Sequence, residues 1–235
     1  VSGAYSEMRV LPAERVVRLP DGIDDRTAAA IMLKGLTAQM LLRQVYRVRK
    51  GDRVLIHAAA GGVGSLLVPW AKHLGAHVLA LVGDVSKIDY VRGLGADEVL
   101  TLNDDWVAAA KSSPRKDSGV HVVYDSVGKD TFFGSLDSLR PRGMMVTFGN
   151  SSGPAPAFAP LELSKRGSLF LTRPTLFDYT RARAALLKAA QEVFELVVRG
   201  VLKVHIGQTF ALREAAEAHR AIESRRTKGS TVLLP

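Results

Sequence analysis

Short apolar runs alternate with helix-type segments from about residue 53 onward. The runs are rich in Val, Ile and Leu, which is typical of strands buried on both faces of a parallel sheet. They predict strands at 53–58, 77–82, 98–102, 120–125, 144–148 and 169–172. The segments between them repeat apolar residues at helical spacing and predict helices at 63–74, 86–94, 105–111 and 131–139. This alternation predicts an α/β fold with a doubly wound parallel sheet of the Rossmann type.

The flanking segments follow other patterns. Asp24 or Asp25 is placed to cap a helix at 27–32, and a second helix is expected after 34–37, reaching about residue 46. Late in the chain, helices are predicted at 180–199, where Gly200 is a suitable C-cap, and at 212–224. Extended segments are predicted at 4–10, 16–20, 201–210 and 231–234. Turns and loops are predicted at 112–119, 141–143 and 149–160.

A glycine-rich turn joins the first strand of the alternation to the first helix. Gly61 leaves room for a pyrophosphate to approach the backbone, and Gly64 allows the helix to pack closely on the strand. The free N–H groups at the start of the helix then face the phosphates. Compared with the pattern G-x-G-x-x-G, the first glycine is replaced by Ala59. A purely structural turn is the alternative interpretation, and the flanking strand and helix favour a dinucleotide site.

Small residues also follow the other predicted strands. They occur at 58–64, 82–87, 125–128 and 148–152. Ligands of open parallel sheets bind beyond the carboxyl ends of the strands. These four segments therefore predict one cofactor groove.

The end of the second strand bears on the choice between NAD and NADP. Gly83 stands where an acidic residue usually holds the ribose hydroxyls, and Lys87 offers a cation for a phosphate. Asp84 argues for NAD if its carboxylate points into the groove, and its other role would be a helix cap. The pattern favours NADPH.

Composition limits the remaining functions. The 235 residues are 47% hydrophobic, contain no cysteine and carry a formal charge of +9. No apolar run is long enough to span a bilayer and no signal peptide pattern opens the chain, so a cytoplasmic protein is expected. The basic surface attracts anions, including nucleic acid, but aromatic residues amount to only 6% and do not interleave with basic ones.

The sequence gives little support for a metal site or for a serine hydrolase. The six histidines do not pair at ligand spacing, so no metal site is predicted. The G-x-S-x-G turn of serine hydrolases is absent. His57, at the end of the first strand, is interpreted as a packed core histidine rather than a catalyst.

Taken together, the motifs resemble those of the zeta-crystallin-like quinone oxidoreductases of the medium-chain dehydrogenase/reductase superfamily, and the match covers the whole chain. The residues that carry it are those at 34–37, 57–64, 123–128, 148–153, 172–174, 223–225 and 229–230. The resemblance implies a zinc-independent enzyme that reduces a quinone or related conjugated carbonyl with NADPH. It also implies a GroES-like β domain beside the Rossmann domain, with the cofactor in the cleft between them, and a homodimer.

The resemblance assigns site residues by position. Thr37 and Asn150 are the polar candidates near the nicotinamide and the proposed catalytic residues. Arg225 would reach the cofactor from the C-terminal segment. The other implied cofactor-binding residues are Ala60, Gly61, Gly62, Val63, Gly83, Lys87, Ser126, Phe148, Gly149 and Ser152.

Departures from the family pattern are also informative. Leu102 stands where the family often has a tyrosine near the 2′-phosphate, which with Asp84 would weaken the preference for NADPH. Pro69 replaces a common Gln and is expected to bend its helix. The family has a longer N-terminal part, so the chain is expected to be N-terminally incomplete. The implied domains are the end of the GroES-like domain and a connecting helix at 1–35, the Rossmann domain at 36–172 and returning C-terminal elements at 173–235.

Two functional hypotheses follow. The first is an NADPH-dependent reductase of quinones. The alternative is a nucleotide- or RNA-binding member of the same family without turnover, which the charge of +9 motivates.

Overall fold

The computed structural model describes residues 3–112 and 118–235. Its centre is a six-stranded parallel sheet with the order β3-β2-β1-β4-β5-β6, and a second sheet pairs β7 with β8 in parallel. The strands are β1 Arg53–Ile56, β2 His77–Val82, β3 Glu98–Thr101, β4 Val120–Asp125, β5 Leu139–Thr147, β6 Phe170–Thr172, β7 Ile206–Ala211 and β8 Ser230–Leu234. This order is that of a Rossmann fold, so the predicted fold class is confirmed.

Helices connect the strands. The α-helices are α1 Asp25–Gln39, α2 Gly64–His73, α3 Ile88–Gly93, α4 Trp106–Lys111, α5 Phe132–Asp137, α6 Leu161–Lys165, α7 Leu176–Tyr179, α8 Arg183–Val198 and α9 Ala215–Glu223. Tighter or wider turns are the 3₁₀ segments Ala13–Arg15, Val85–Lys87 and Leu212–Glu214 and the π segment Met40–Val45. The short helices α6 and α7 escaped prediction, because a helix of one turn is too short to show a period.

The sheet buries both of its faces, as the continuous apolar runs predict. Along β1, Val54 and Ile56 belong to one hydrophobic cluster and Leu55 to another. The first cluster includes Trp70 of α2, and the second includes Phe132 of α5. Helices therefore cover the sheet on both sides and hold its strand ends in fixed positions.

The predicted break between two helices near residues 34–37 is wrong. α1 continues through Gly35 to Gln39 and passes directly into the π segment. A Cβ on Gly35 would lie 2.7 Å from Cγ1 of Val193 in α8, so this glycine allows two helices to approach and does not end one. The predicted cap is confirmed, since Asp24 accepts a hydrogen bond of 2.7 Å from the Thr27 N–H.

The predicted turn at 141–143 lies inside β5. Arg142 has a φ of 59°, and the pairing with β4 jumps from Val120 opposite Leu139 to Val122 opposite Met144. The turn residues thus form a bulge within a strand.

The flanking segments pack onto this frame. Residues 3–24, all of them described, contain one 3₁₀ turn and no strand, and Arg183 of α8 donates hydrogen bonds to the carbonyls of Glu14 and Val16. In the predicted loop at 112–119, residues 113–117 lie outside the described residues. No helix in the described ranges has the length and apolar character needed to cross a bilayer.

Candidate dinucleotide-binding site

One cavity of about 600 Å³ opens at the carboxyl ends of the central strands. It is lined after β1 by Ala60 and Gly61, after β2 by Gly83, after β4 by Val127 and after β5 by Ser151. The four strand ends that the sequence singled out therefore meet in one groove. A larger apolar groove of about 710 Å³ lies between residues 17–21 and α8, away from every strand end. We assign the ligand site to the smaller cavity, because parallel sheets bind ligands at the carboxyl edge.

The glycine turn after β1 is held tightly. The N–H of Gly61 donates to the carbonyl of Ala58 at 2.9 Å, and Ala58 itself adopts a φ of 49°. A Cβ on Gly64 would lie 2.4 Å from the Ala58 carbonyl oxygen and 2.6 Å from Cα of Ala59. The structure thus shows the close approach of helix to strand that the sequence predicted for Gly64.

Helix α1 brings a cation to this turn. Cε of Lys34 lies 2.7 Å and Nζ 3.2 Å from the position that a Cβ on Gly62 would occupy. Burial lowers the pKa of Lys34. Thr37 lies three residues on, on the same face of α1, and its hydroxyl donates to the Leu33 carbonyl at 2.8 Å. In the sequence, Lys34 is only one member of the motif at 34–37, because its approach to the glycine turn depends on tertiary packing.

At the end of β2, Asp84 both lines the cavity and acts as a cap. Its carboxylate accepts a hydrogen bond of 2.8 Å from the Ser86 N–H and caps the 3₁₀ segment. Hydrogen bonding with Ser86 and the charges of Lys87 and Lys228 hold the pKa of Asp84 below its usual value. Burial lowers the pKa of Lys87, which the Asp84 carboxylate opposes and the Lys228 ammonium reinforces.

The segment between α9 and β8 forms part of the cavity wall. Arg225, Arg226 and Thr227 contribute to its lining. The guanidinium of Arg225 donates to the carbonyl of Ser151 at 3.0 Å, and the N–H of Gly229 donates to that of Ala60 at 2.9 Å. These contacts tie the C-terminal segment to the ends of β5 and β1. Arg226 and Thr227 were not predicted as site residues, although the basic character of 225–228 is visible in the sequence.

A buried polar network supports the end of β4. Both oxygens of Asp125 are used: Oδ1 accepts from the N–H groups of Val127 and Gly128, and Oδ2 accepts from the hydroxyls of Thr131 and Ser135. The Ser135 hydroxyl also lies 2.9 Å from Nε2 of His57, which is 1% exposed. Burial lowers the pKa of His57, although the Asp125 carboxylate opposes the effect. His57 is therefore a packed core histidine, as predicted.

The end of β5 is shaped by main-chain contacts. A Cβ on Gly149 would lie 2.5 Å from the carbonyl oxygen of Ser126, and the Gly149 carbonyl accepts a 2.9 Å hydrogen bond from Arg173. The hydroxyl of Ser152 donates to the Val127 carbonyl at 2.9 Å. These contacts hold the loops after β4 and β5 together.

The structure separates the predicted site residues into two sets. Some line the cavity directly: Ala60, Gly61, Gly83, Lys87 and Arg225. The others lie outside its lining: Thr37, Gly62, Val63, Ser126, Phe148, Gly149, Asn150 and Ser152. Half of the second set are next to a lining residue in the chain, namely Gly62, Ser126, Asn150 and Ser152. Among the described residues, no group of three or more His, Asp or Glu side chains could hold a metal ion.

Comparisons with known proteins agree with this geometry. Residues 94–233 match a family of zinc-binding dehydrogenases. The chain is 49% identical to a quinone oxidoreductase of Pseudomonas aeruginosa, over 99% of its own length and 72% of the relative. It is 46% identical to a 2-haloacrylate reductase of a Burkholderia species, over 99% of its length and 71% of the relative.

A solved structure shows the same fold. The crystal structure of Escherichia coli quinone oxidoreductase complexed with NADPH superposes with a TM-score of 0.95 at 41% identity, covering 100% of this chain and 73% of that one. Identity at this level over nearly the whole chain shows common descent as well as a common fold. The chain therefore belongs to the quinone oxidoreductase family within the medium-chain dehydrogenase/reductase superfamily.

Proposed function

We propose that this protein is an oxidoreductase that uses NADPH to reduce a quinone or a related conjugated carbonyl compound, and that it does so without zinc. The observation that carries the proposal is the single cavity in which the glycine turn, the end of β2 and the C-terminal segment meet. The similarity to quinone oxidoreductases, one of them crystallised with NADPH, supports it. The similarity to a 2-haloacrylate reductase extends the acceptor class to other activated double bonds.

The residues present fit a dinucleotide. At the glycine turn, Gly61 lines the cavity and has no side chain that could block the approach of a phosphate. Gly62 and Val63 follow it at the start of α2, where N–H groups remain free to bind a pyrophosphate. The cations Lys87 and Arg225 line the same cavity and match the negative charge of the phosphates.

Residues of this chain would hold the cofactor along its length. Gly83 and Lys87 would contact the adenosine ribose, while Thr37 and Asn150 would face the nicotinamide. Ala60, Ser126, Phe148, Gly149 and Ser152 would complete the groove. When bound, NADPH supplies the hydride. The task of these side chains is to orient the two reactants and to exclude water, which is the main contribution a protein makes to hydride transfer.

The test is a turnover assay. The protein is mixed with NADPH and a panel of acceptors that includes benzoquinone and 2-chloroacrylate, and the loss of NADPH absorbance is followed. We expect turnover with at least one acceptor, and we expect Gly61→Val to abolish it by filling the pyrophosphate site. Gly93→Ala is the matched control, since its Cβ would meet nothing within 4 Å. No loss of absorbance with any acceptor contradicts the proposal.

Zinc independence has its own measurement. We expect the rate to survive dialysis against a strong chelator. A rate that disappears on dialysis and returns with added zinc contradicts this part of the proposal.

We also propose that the protein forms a homodimer through the sheet edge. β6 is the outer strand of the sheet, and Phe170 on it is 57% exposed. An exposed aromatic side chain on an unpaired edge favours strand pairing between two copies. Size exclusion with light scattering should give a dimer mass for the wild type and a monomer mass for Phe170→Glu. A wild-type monomer at micromolar concentration excludes the dimer.

A further inference from the structure

Two lysines connect the loop after β2 to the segment before β8. Nζ of Lys87 donates a short hydrogen bond to the carbonyl of Arg225. Nζ of Lys228 donates to the carbonyl of Ser86 at 2.9 Å and lies 5.9 Å from the centre of the Tyr90 ring. Each ammonium thus reaches across from one loop to the other. Both have neutral partners, so each retains donors for a ligand.

The position of Lys228 is well fixed. The next residue, Gly229, donates its N–H to the carbonyl of Ala60 in the glycine turn and adopts a φ of 66°. A Cβ on Gly229 would lie 2.3 Å from the His205 carbonyl oxygen, so the backbone here packs closely against residue 205. Lys228 is half-buried against Tyr90. A preorganised cation of this kind loses little entropy when it binds an anion.

The charge around these lysines is unbalanced. Arg226 lines the same cavity as Lys87. Asp84 is the carboxylate nearby, and it accepts the hydrogen bond of the Ser86 N–H. Among the described residues, Lys87, Arg226 and Lys228 take part in no ion pair within 4.0 Å. Three cations beside one carboxylate leave an excess of positive charge, which attracts a multiply charged oxyanion.

The place of this cluster in the fold identifies the anion. In a dinucleotide site the pyrophosphate lies at the glycine turn, and the adenosine ribose lies at the end of the second strand. The cluster stands beside Gly83, at the ribose end. Leu102, which also lines the cavity, presents an apolar side chain. A ribose hydroxyl needs an acceptor, whereas a phosphate on that ribose needs the donors that are present here.

We propose that Lys228, together with Lys87, binds the 2′-phosphate of NADPH, and that Lys228 is a determinant of selectivity for NADPH over NADH. This inference rests on the proposed function and adds a residue from the C-terminal segment to it. Lys228 is not itself among the residues that line the cavity, but its ammonium is bound to the carbonyl of Ser86, which lines it together with Lys87, and from there it would reach the phosphate.

The experiment uses ligand fragments that lack nicotinamide. Wild type, Lys228→Gln and Lys228→Arg are titrated with 2′,5′-ADP and with 5′-AMP by calorimetry. We expect Lys228→Gln to weaken 2′,5′-ADP about tenfold, the loss of one charged hydrogen bond, and to leave 5′-AMP unchanged. Lys228→Arg should keep most of the affinity, because it keeps the charge. Lys188→Gln is the charge-matched control, since Lys188 is exposed on α8 and lines a different cavity.

The outcomes separate this inference from the proposed function. If Lys228→Gln binds 2′,5′-ADP as tightly as the wild type, or loses both ligands equally, Lys228 does not read the phosphate. If Lys188→Gln weakens 2′,5′-ADP as much, net charge accounts for the effect and the inference is overturned. If the wild type binds NADPH but the variant keeps its selectivity over NADH, only this inference fails. If the wild type binds neither dinucleotide, the proposed function fails.

Discussion

Gly64→Ala should destabilise the protein more than a typical single methyl addition. Gly64 opens α2 directly behind the β1 turn. An added Cβ would lie 2.4 Å from the carbonyl oxygen of Ala58, 2.6 Å from Cα of Ala59 and 2.9 Å from its carbonyl carbon. All three are main-chain atoms, and Ala59 is fully buried. No side chain can rotate away, so the turn itself must shift.

The size of the loss follows from two opposing terms. Overpacking in a well-packed region costs about 1–3 kcal/mol, and contacts with buried backbone place this site at the upper end. Alanine is favoured over glycine in a helix by up to about 1 kcal/mol, and less at its first residue. The free energy of unfolding should therefore fall by about 2 kcal/mol, which for a chain of this size lowers Tm by roughly 4–8 °C.

Urea and thermal denaturation, followed by circular dichroism, measure the loss. Gly93→Ala is the control: Gly93 is an exposed residue at the end of α3 and an added Cβ meets nothing within 4 Å. It should be neutral or stabilise by about 0.5 kcal/mol. Because the shifted turn carries Gly61, Gly64→Ala should also weaken NADPH binding. A Gly64→Ala protein as stable as the control would refute the steric reasoning.

Three further predictions concern the stability or the protonation of single residues. Gly62→Ala should cost less than about 1 kcal/mol in thermal unfolding, because its Cβ meets only the flexible end of Lys34; a loss equal to that predicted above contradicts this. Burial, aided by the charge of Asp52, raises the pKa of Tyr46 to about 12. Tyr46 should therefore contribute stability that is complete below about pH 10 and lost as pH rises through 12, a slope that Tyr46→Phe should lack in urea titrations. Burial lowers the pKa of His57, so its ring should remain neutral by NMR below about pH 6.5, and its contribution to stability should decline as pH falls; protonation at that pH contradicts the prediction.

The sheet could be predicted because each of its strands has a recognisable local sequence pattern. A central parallel strand is buried on both faces, so it appears as a continuous apolar run whatever lies next to it. The predicted bounds of β2 at His77–Val82 and of β4 at Val120–Asp125 agree with the structure to the residue. The meeting of the strand ends in one cavity followed from the same pattern, since the carboxyl ends of parallel strands share one edge.

The roles of several glycines could not be predicted from the neighbouring sequence. Gly35, Gly62 and Gly64 all have a neighbour within 3 Å of a hypothetical Cβ, but the neighbours differ: a side chain of α8, a lysine of α1 and the backbone of the β1 turn. The first was predicted to break a helix, and it lies in the middle of one because α8 packs against it. The second indicates that Lys34 approaches the turn, which no spacing in the sequence reveals. The close packing of the third, whose neighbours are main-chain atoms five and six residues earlier, was predicted correctly.

The same distinction separates cofactor class from cofactor selectivity. The glycine turn and its flanking strand and helix are contiguous, so a dinucleotide could be predicted from one stretch of sequence. Selectivity depends on whether the Asp84 carboxylate is free and on which cations face it. Ser86 donates a hydrogen bond to one oxygen of Asp84, and we propose that Lys228, brought back by the chain after α9, is the second cation beside Lys87. In the sequence, Lys228 was one member of a basic cluster that any acidic partner could attract. Its contact with the loop after β2 makes it a candidate for binding the 2′-phosphate of NADPH.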